Sequence, residues 1–395
     1  MSTPRVLILT AGFGEGHNAA ARALALACDA AHGPGTAHVA DVFALATPRL
    51  NALTRRSYLG LINCAPRLWS ATYAWIDRST ILPRGLWMLR RETRVLDELI
   101  ARERPTVICS TYPVYAFMLE KLAHEGRQIA PHFNVVTDSI SINSLWWRAA
   151  CAGWFLPNDD SADVLRRAGV EAGRLHVLGF PVTSFFRSHV DEFVPPDLVA
   201  GATPRVLYII NSGTRGATET ARCLLAETDL EITCAVGRDE KLRRHLTRLA
   251  AGRARPAQIL GWTDQIPRLL MTHHVVVSKA GGATTQEAIA ARCPMIVNQI
   301  VPGQEEGNYE LLRRHGAGSL AETPDAVVAE LRRAFAGYGR VWENWRAALT
   351  TLARPDAARD IAAHVLGLGA TATAPHVGSI ERGEGAASPS VIAPA

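Results

Sequence analysis

The sequence predicts an α/β protein with two parallel sheets, each covered by helices on both faces. Short apolar runs alternate with helical segments along the chain, and this pattern starts again after a Pro-rich interval near residue 200. Such alternation is typical of βαβ units, whose strands are parallel and buried. A chain of 395 residues is long enough for two domains with separate cores.

The first domain is expected over residues 1–189. Its predicted strands are RVLILTA, HVADVF, PTVICS, HFNVVTD and GWFLPN. Helices are expected after the first strand, where the chain is rich in Ala, at residues 114–124, and over SADVLRRAG. Residues 190–204 are rich in Pro and polar residues and lack periodicity, which predicts a linker.

The second domain is expected over residues 205–366. Its predicted strands are PRVLYIIN, EITCAVGR, AQILGW, VVVSK and PMIVNQ, and its last helices follow Thr323. From residue 367 the chain turns to Gly, Ala, Thr, Pro and Ser. Residues 367–395 are therefore predicted to be a disordered tail.

The composition indicates a globular protein. Hydrophobic residues make up 48% and charged residues 20% of the chain. No run approaches the roughly 18 apolar residues of a membrane-spanning helix, and we expect no signal peptide because the chain starts directly with a strand. Seven scattered cysteines without CxxC pairs favour a reducing compartment over disulfides or structural zinc.

The most informative segment is SKAGGATTQEAIAARCPMIVNQIVPGQEEGN, residues 278–308. A glycine turn at Gly281 and Gly282 follows a strand and leads into a helix. Glycine lets a diphosphate approach the backbone, and the helix N-terminus offers unpaired N–H groups with partial positive charge. The hydroxyl of Thr284 adds a donor for phosphate oxygens.

Acidic and amide side chains in this segment indicate a sugar nucleotide. The carboxylate of Glu287 has the wrong sign for phosphate but suits the paired hydroxyls of a ribose. The polar loop after the next strand offers hydrogen-bonding groups to sugar hydroxyls, from Gln304, Glu305, Glu306 and Asn308.

This segment resembles the donor site of the diacylglycerol glycosyltransferases, both the plant-type monogalactosyldiacylglycerol synthases and the bacterial diacylglycerol glucosyltransferases. A more distant relative adds N-acetylglucosamine to the undecaprenyl-linked peptidoglycan precursor. The motifs K-x-G-x-x-T-x-x-E and P-G-Q-E-x-x-N of these families read here Lys279, Gly281, Thr284, Glu287, Pro302, Gly303, Gln304, Glu305 and Asn308. The resemblance implies the GT-B architecture, two Rossmann-like domains facing a central cleft, with the last helix returning to the first domain.

The glycine loop GFGEGH of the first domain is a weak signal alone, because it lacks the G-x-G-x-x-G spacing. The family has a loop ending in Gly-His here, which matches Gly16 and His17, shortly after Gly14. The resemblance places this loop at the cleft, where His17 would take the proton from an acceptor hydroxyl. The alternative is that His17 caps the helix or hydrogen-bonds the loop.

Asp138 is the second catalytic candidate, because it ends a strand at the edge where such folds bind ligands. The family also has Thr-Asp here. The carboxylate would orient His17 or act as the base, and capping of the next turn is the alternative. The family usually has a His shortly afterwards, whereas this chain has Asn143, then Trp146. This region is thought to face the lipid, so the acceptor stays open.

Three more loops of the second domain are expected at the nucleotide. NSGTRG offers groups to phosphate, and the arginine of AVGRDE, where the family also has Gly-Arg, would pair with the diphosphate. The resemblance implies that backbone groups of LGWTDQI meet the uracil. The alternative is a set of ordinary turns. The residues concerned are Gly213, Thr214, Arg238, Gly261, Trp262 and Ile266.

Residues 47–94 interleave many arginines with tyrosine and tryptophan. This mixture suits an anionic membrane surface. Nucleic-acid binding and a helical subdomain with a solvated face are the alternatives. No recognised nucleic-acid motif accompanies the segment, so no nucleic-acid partner is expected.

Together with these features, the resemblance implies an inverting transferase that moves glucose or galactose from a UDP-sugar to a lipid hydroxyl, that of 1,2-diacylglycerol. We expect it to be cytoplasmic and peripheral on the inner face of the cell membrane. The resemblance implies that no metal or other cofactor is needed. In agreement with this, no DxD ends a predicted strand, and Asp159 and Asp160 begin a predicted helix. Alternatives are an isoprenoid-linked, hydroxylated-lipid or secondary-metabolite acceptor, and a GT-B epimerase or nucleotide-sugar sensor.

Overall fold

A computed structural model of the protein describes residues 4–12, 14–51, 54, 85–210, 216–303 and 305–371. Its strands form two six-stranded sheets, and all neighbouring strands in these sheets pair in parallel. The predicted class, two parallel sheets with helices, is confirmed.

The first sheet has the strand order β2-β1-β3-β4-β5-β6. Its strands are β1 (Val6–Leu9), β2 (Ala37–Ala40), β3 (Val107–Ser110), β4 (His132–Val135), β5 (Gly153–Leu156) and β6 (Leu175–Val177). The helices along this part of the chain are α1 (Glu15–His32), α2 (Val42–Ala46), α3 (Arg90–Glu103), α4 (Val114–His124), α5 (Asp159–Arg167) and α6 (Phe185–Ser188).

The second sheet has the order β12-β11-β10-β7-β8-β9. Its strands are β7 (Arg205–Ile209), β8 (Glu231–Ala235), β9 (Gln258–Leu260), β10 (Val275–Lys279), β11 (Met295–Gln299) and β12 (Gly318–Leu320). The helices are α7 (Ala217–Ala226), α8 (Glu240–Ala250), α9 (Ile266–Thr272), α10 (Gly282–Ala290), α11 (Glu306–Arg314), α12 (Pro324–Leu352) and α13 (Ala357–Thr371). The dihedral angles of residues 336–339 break α12 into two parts.

The burial of β1 shows why its sequence is apolar at every position. Leu7 and Leu9 pack into one cluster, with side chains of α3 and α4. Val6 and Ile8 point to the opposite face and join a second cluster. Successive side chains of a strand alternate between faces, so a strand covered on both sides needs an uninterrupted apolar run.

The final helix of the chain belongs to the core of the first sheet. Ile361 and Val365 of α13 are fully buried in the cluster that contains Val6 and Ile8. The helix continues to Thr371, so the prediction of a tail from residue 367 is wrong at its start. Burial of the earlier turns of α13 stabilises the helix, so it continues past residue 367 despite the glycines there. Residues 372–395 lie outside the described part.

Other boundaries differ from the sequence-based expectation. HVADVF is not one strand, because β2 ends at Ala40 and α2 begins at Val42. Asp41 separates them, since its side chain accepts a hydrogen bond from the Ala44 amide at 2.9 Å and caps α2. Across the described ranges, no helix has the length and apolar character to cross a membrane.

Candidate active site

The side chain of Asp41 holds the glycine loop that follows β1. The Gly12 amide donates a hydrogen bond of 2.9 Å to one oxygen of this carboxylate, while the other oxygen caps α2. Gly14 is the N-cap of α1 and has no side chain with which to cap the helix. Phe13 lies outside the described residues.

His17 lies in the first turn of α1 and is buried. Its Nδ1 lies 2.9 Å from Thr137 Oγ1, and its ring meets the Tyr112 ring edge-on at 5.2 Å between centroids. Burial lowers the pKa of His17 to about 4, against a smaller opposing effect of a hydrogen bond with the Thr111 backbone. The imidazole is therefore neutral at physiological pH, and its side chain reaches the end of β4 rather than capping α1.

Asp138 follows Thr137 at the carboxyl end of β4. Its Oδ2 accepts a hydrogen bond of 2.7 Å from Trp146 Nε1. Burial raises the pKa of Asp138 to about 6, and the bond from Trp146 acts in the opposite direction. Because Thr137 is the residue that holds His17, the expectation that Asp138 orients His17 is not met. A role for Asp138 as a base stays a prediction.

Asn143 and Trp146, expected at the acceptor, are both buried in this structure. The Asn143 side chain accepts a hydrogen bond of 3.0 Å from the Leu145 amide and caps a short 3₁₀ helix at Ser144–Trp146. The Trp146 ring lies 6.5 Å from that of His17. Trp146 thus packs beside the two catalytic candidates, His17 and Asp138, as a buried side chain.

On the donor side, Lys279 and Glu305 form an ion pair with each other. Their side chains are only 19% and 8% exposed, and Glu305 Oε2 also accepts a hydrogen bond of 3.1 Å from the Val301 amide. A Cβ on Gly281 would lie 3.6 Å from Lys279 Nζ. Glu305 thus fixes the lysine beside the glycine turn, and its role toward a sugar stays a prediction.

Glu287 is half-buried on α10. Burial raises its pKa to about 7, the charge of Glu15 adds to this increase, and Arg22 opposes it. Glu15 and Arg22 are an ion pair on α1. The proposed ribose ligand therefore faces the first helix of the opposite domain.

The N-terminus of α10 contacts, across the domain boundary, the loops that carry the catalytic candidates. A Cβ on Gly16 would lie 3.6 Å from the Ala283 amide nitrogen, and one on Gly282 would lie 3.4 Å from the Thr137 carbonyl oxygen. Asn308 Nδ2 donates to the Ala280 carbonyl at 2.9 Å and anchors the donor loop to this turn. The fold thus brings His17 and the donor motif together.

The other donor loops lie at the same edge of the second sheet. A Cβ on Gly261, after β9, would be 3.6 Å from the Gly237 carbonyl oxygen, after β8. Arg238 is exposed, the Trp262 side chain is 67% exposed, and Ile266 begins α9. Thr284 lies in the first turn of α10. Gly213, Thr214 and Gln304 lie outside the described residues.

Sequence reasoning missed Thr137, Tyr112 and Glu15 as site residues. Tyr112 and Thr137 follow the ends of β3 and β4, so the strand-end rule that found Asp138 would have found both. Glu15 stands inside the glycine loop, where only the glycines and His17 were considered.

Asp159 and Asp160 begin α5, and both face the second domain. Asp159 pairs with Arg354 at 3.1 Å, and Asp160 pairs with Arg314 and His315 at 3.2 and 2.8 Å. Within the described ranges, no group of three or more His, Cys, Asp or Glu residues is arranged to hold a metal ion. The two aspartates are thus interdomain contacts in this structure.

The sequence is similar to known diacylglycerol glycosyltransferases. The family model of monogalactosyldiacylglycerol (MGDG) synthase matches residues 17–182. The processive diacylglycerol beta-glucosyltransferase of Bacillus cytotoxicus is 24% identical over 367 residues, which cover 91% of this chain and 93% of that relative. The resemblance to the diacylglycerol glycosyltransferases is thereby confirmed.

Solved structures confirm the predicted GT-B fold. Acinetobacter baumannii MurG gives a TM-score of 0.60 at 14% identity, over 92% of this chain and 100% of that one. The S. aureus MnaA-UDP co-structure gives 0.59 at 11% identity, over 92% and 96%. At these identities the likeness concerns the fold: two Rossmann-like domains facing a central cleft.

Proposed function

We propose that this protein transfers a hexose from a UDP-hexose to the hydroxyl of 1,2-diacylglycerol, with inversion at the anomeric carbon. The observation that carries this proposal is the position of His17. A neutral, buried imidazole lies next to the loop whose Thr137 carbonyl meets the N-terminus of α10. A base for the acceptor and a diphosphate site would thereby be adjacent across the cleft.

The donor would lie along α10. Gly281 and Gly282 leave room for the diphosphate at backbone N–H groups and the positive end of the helix dipole. Glu287 would accept hydrogen bonds from the ribose hydroxyls, and Asn308 would contact the hexose. Arg238, which is exposed at the end of β8, would pair with the diphosphate.

In the reaction, His17 would remove the acceptor proton while the hydroxyl attacks the anomeric carbon and UDP departs. Thr137 would hold the imidazole in place, and Asp138 is the second candidate for the base. The backbone amides of α10 and Arg238 would stabilise the negative charge that develops on UDP. A single displacement inverts the anomeric carbon, and we propose that these groups act without a metal ion.

The lipid acceptor is proposed to arrive from an anionic membrane surface. Trp87 and Met88 are 61% and 70% exposed next to the exposed Arg90, Arg91 and Arg94. Apolar side chains flanked by arginines suit the boundary between headgroups and acyl chains. Most of the basic, aromatic segment expected at residues 47–94 lies outside the described residues. We propose peripheral binding on the inner face of the cell membrane.

Glucose is the proposed sugar. The relative whose similarity spans both domains is named a beta-glucosyltransferase. The MGDG synthase match covers residues 17–182, which precede the donor motif of the second domain. We therefore base the proposed donor sugar on the beta-glucosyltransferase, whose similarity includes the second domain, rather than on the MGDG synthase match.

The direct test is to supply labelled UDP-glucose or UDP-galactose separately, with diacylglycerol in anionic liposomes. The proposal predicts labelled β-linked glucosyldiacylglycerol with UDP-glucose. Labelled lipid from UDP-galactose alone would overturn the sugar assignment. UDP release without labelled lipid would overturn the diacylglycerol acceptor. UDP binding without release of UDP would overturn the transferase and favour a sensor.

A further inference from the structure

The chain directly after Asp138 is strained. Ile140 has a φ of +54°, a value that a β-branched residue rarely adopts. Two tight turns surround it, because the Ser141 amide bonds to the Ser139 carbonyl and the Ile142 amide bonds to the Ile140 carbonyl. Strain of this kind persists only where the surroundings impose it, and it is concentrated at functional sites. Residues 139–142 are called the strained segment below.

The surroundings that impose this conformation come from the second domain. Gln286 Nε2 donates a hydrogen bond of 3.0 Å to Ser139 Oγ, between side chains that are 6% and 2% exposed. Gly307 packs so closely that a Cβ at this position would overlap the Ser139 carbonyl oxygen and the Ser141 amide nitrogen. Gln286 precedes the proposed ribose ligand, and Gly307 precedes Asn308.

Helix α11 is attached to the first domain at its other end as well. At its C-terminus, Arg314 and His315 contact Asp160 at 3.2 and 2.8 Å. Its N-terminus holds Gly307 against the strained segment. Helix α11, which follows the loop proposed to bind the sugar, thus spans the distance from the strained segment to α5. Its contacts at both ends depend on closure of the two domains.

We propose that Gln286 and Gly307 are positioning residues, which impose the strained segment and so place Asp138 and the adjacent Thr137 when the donor domain closes on the acceptor domain. Thr137 in turn holds His17. Closure by a donor bound along α10 would therefore complete the catalytic arrangement. When the domains part, the segment loses both contacts and relaxes. This inference rests on the proposed function and deepens it.

The first test is a double-mutant cycle on the interdomain hydrogen bond. Gln286→Ala and Ser139→Ala should each lower kcat about tenfold, the size expected for one lost buried hydrogen bond. The double variant should be no slower than either single variant, because both remove the same contact. Affinity for UDP-glucose should stay within about twofold. Additive losses, or a loss in donor affinity with unchanged kcat, would overturn the proposal.

Gly307→Ala tests closure itself, with Gly252→Ala as the matched control. An added Cβ at Gly252 meets nothing within 4 Å, and that glycine has no left-handed φ. Gly307→Ala should lower kcat more than Gln286→Ala, because its methyl group collides with backbone. If Gly307→Ala does not fold, the Gln286 cycle decides alone.

A measurement independent of turnover separates this inference from the proposed function. Hydrogen–deuterium exchange of a peptide covering residues 138–146 should slow when UDP binds to the wild-type protein. The slowing should be lost in Gln286→Ala while UDP affinity is kept. Equal protection in both proteins would overturn the inference even if no glycolipid is ever formed.

Discussion

Thr137 Oγ1 lies 2.9 Å from His17 Nδ1 and joins the end of β4 to the start of α1. The contact links residues 120 positions apart in the chain. It leaves the proposed base held by a neutral hydroxyl, in a buried setting that keeps the imidazole uncharged. The same threonine presents its carbonyl oxygen to the donor turn at Gly282.

His17→Ala should lower kcat by about 10²- to 10⁴-fold, the usual contribution of a general base. Affinity for UDP-glucose should be unchanged, because the donor contacts belong to the second domain. Thr137→Val should lower kcat less, and Thr137→Ser should restore it by returning the hydroxyl. Turnover assays with parallel calorimetry check all three variants. Near-normal turnover of His17→Ala would assign the base to Asp138.

Trp146→Phe should change the pH dependence of turnover. The bond from Trp146 Nε1 lowers the pKa of Asp138, which burial raises to about 6. If the ionised carboxylate is required, activity rises with pH through about 6, and loss of the bond moves this rise to higher pH. A kcat profile from pH 5 to 8 measures the shift. An unmoved profile would show that ionisation of Asp138 does not limit turnover.

Asp138→Asn should increase stability in a pH-dependent way. The folded-state pKa of about 6 is above the ordinary value of 3.8 for an aspartate carboxyl group. The stability that this group contributes is therefore fully present below about pH 4 and is lost as pH rises through 6. The melting temperature of Asp138→Asn relative to wild type should rise between pH 4 and 7. A difference that falls over this range would contradict the sign of the pKa shift.

Glu287 should make donor binding pH-dependent. Its pKa is raised to about 7, and a carboxylate accepts ribose hydroxyls better once ionised, so affinity for UDP-glucose should rise from pH 6 to 8. Glu287→Gln should remove this rise and weaken binding at pH 8 about 10- to 100-fold, as for hydrogen bonds to a charged group. Glu15→Gln should move the rise to lower pH, because its charge adds to the shift. Calorimetric measurement of UDP-glucose affinity at several pH values tests these expectations.

Lys279→Met should reduce the free energy of unfolding by about 3 kcal/mol, because it leaves Glu305 buried without its partner. Adding Glu305→Gln should restore much of this loss. Lys241→Met is the control, since Lys241 is exposed on α8. Urea unfolding gives the free energy of unfolding for the wild type, the two single variants and the double variant. A Lys279→Met variant as stable as the control would show that the pair contributes nothing to stability.

Two edge strands escaped prediction. Leu175–Val177 and Gly318–Leu320 have three residues each and lie at the ends of their sheets. A three-residue run alone carries too little periodicity to be distinguished from a loop. The equally short edge strand Gln258–Leu260 was predicted only because it lies in the longer apolar run AQILGW. The longer buried strands, such as Val275–Lys279, need apolar side chains toward both faces, so their sequences show them directly.

Only those parts of the candidate site that are formed by residues adjacent in sequence could be predicted. The turn at Gly281 and the helix with Glu287 follow from adjacent residues. Contacts between distant segments depend on how the whole chain folds, so the contact of His17 with Thr137, 120 positions away, was not visible. The Asp138–Trp146 hydrogen bond is closer in sequence, but it depends on a loop conformation that no motif predicts. Glu305 illustrates the limit, because its motif predicted a sugar ligand and gave no indication of its ion pair with Lys279.

The most direct test of the account compares wild-type protein with His17→Ala, using labelled UDP-glucose and diacylglycerol liposomes, with UDP-glucose affinity measured in parallel. The account predicts labelled glucosyldiacylglycerol from the wild type only, at equal donor affinity for both proteins. Equal amounts of labelled lipid from both, or donor binding without any transfer by the wild type, would contradict it.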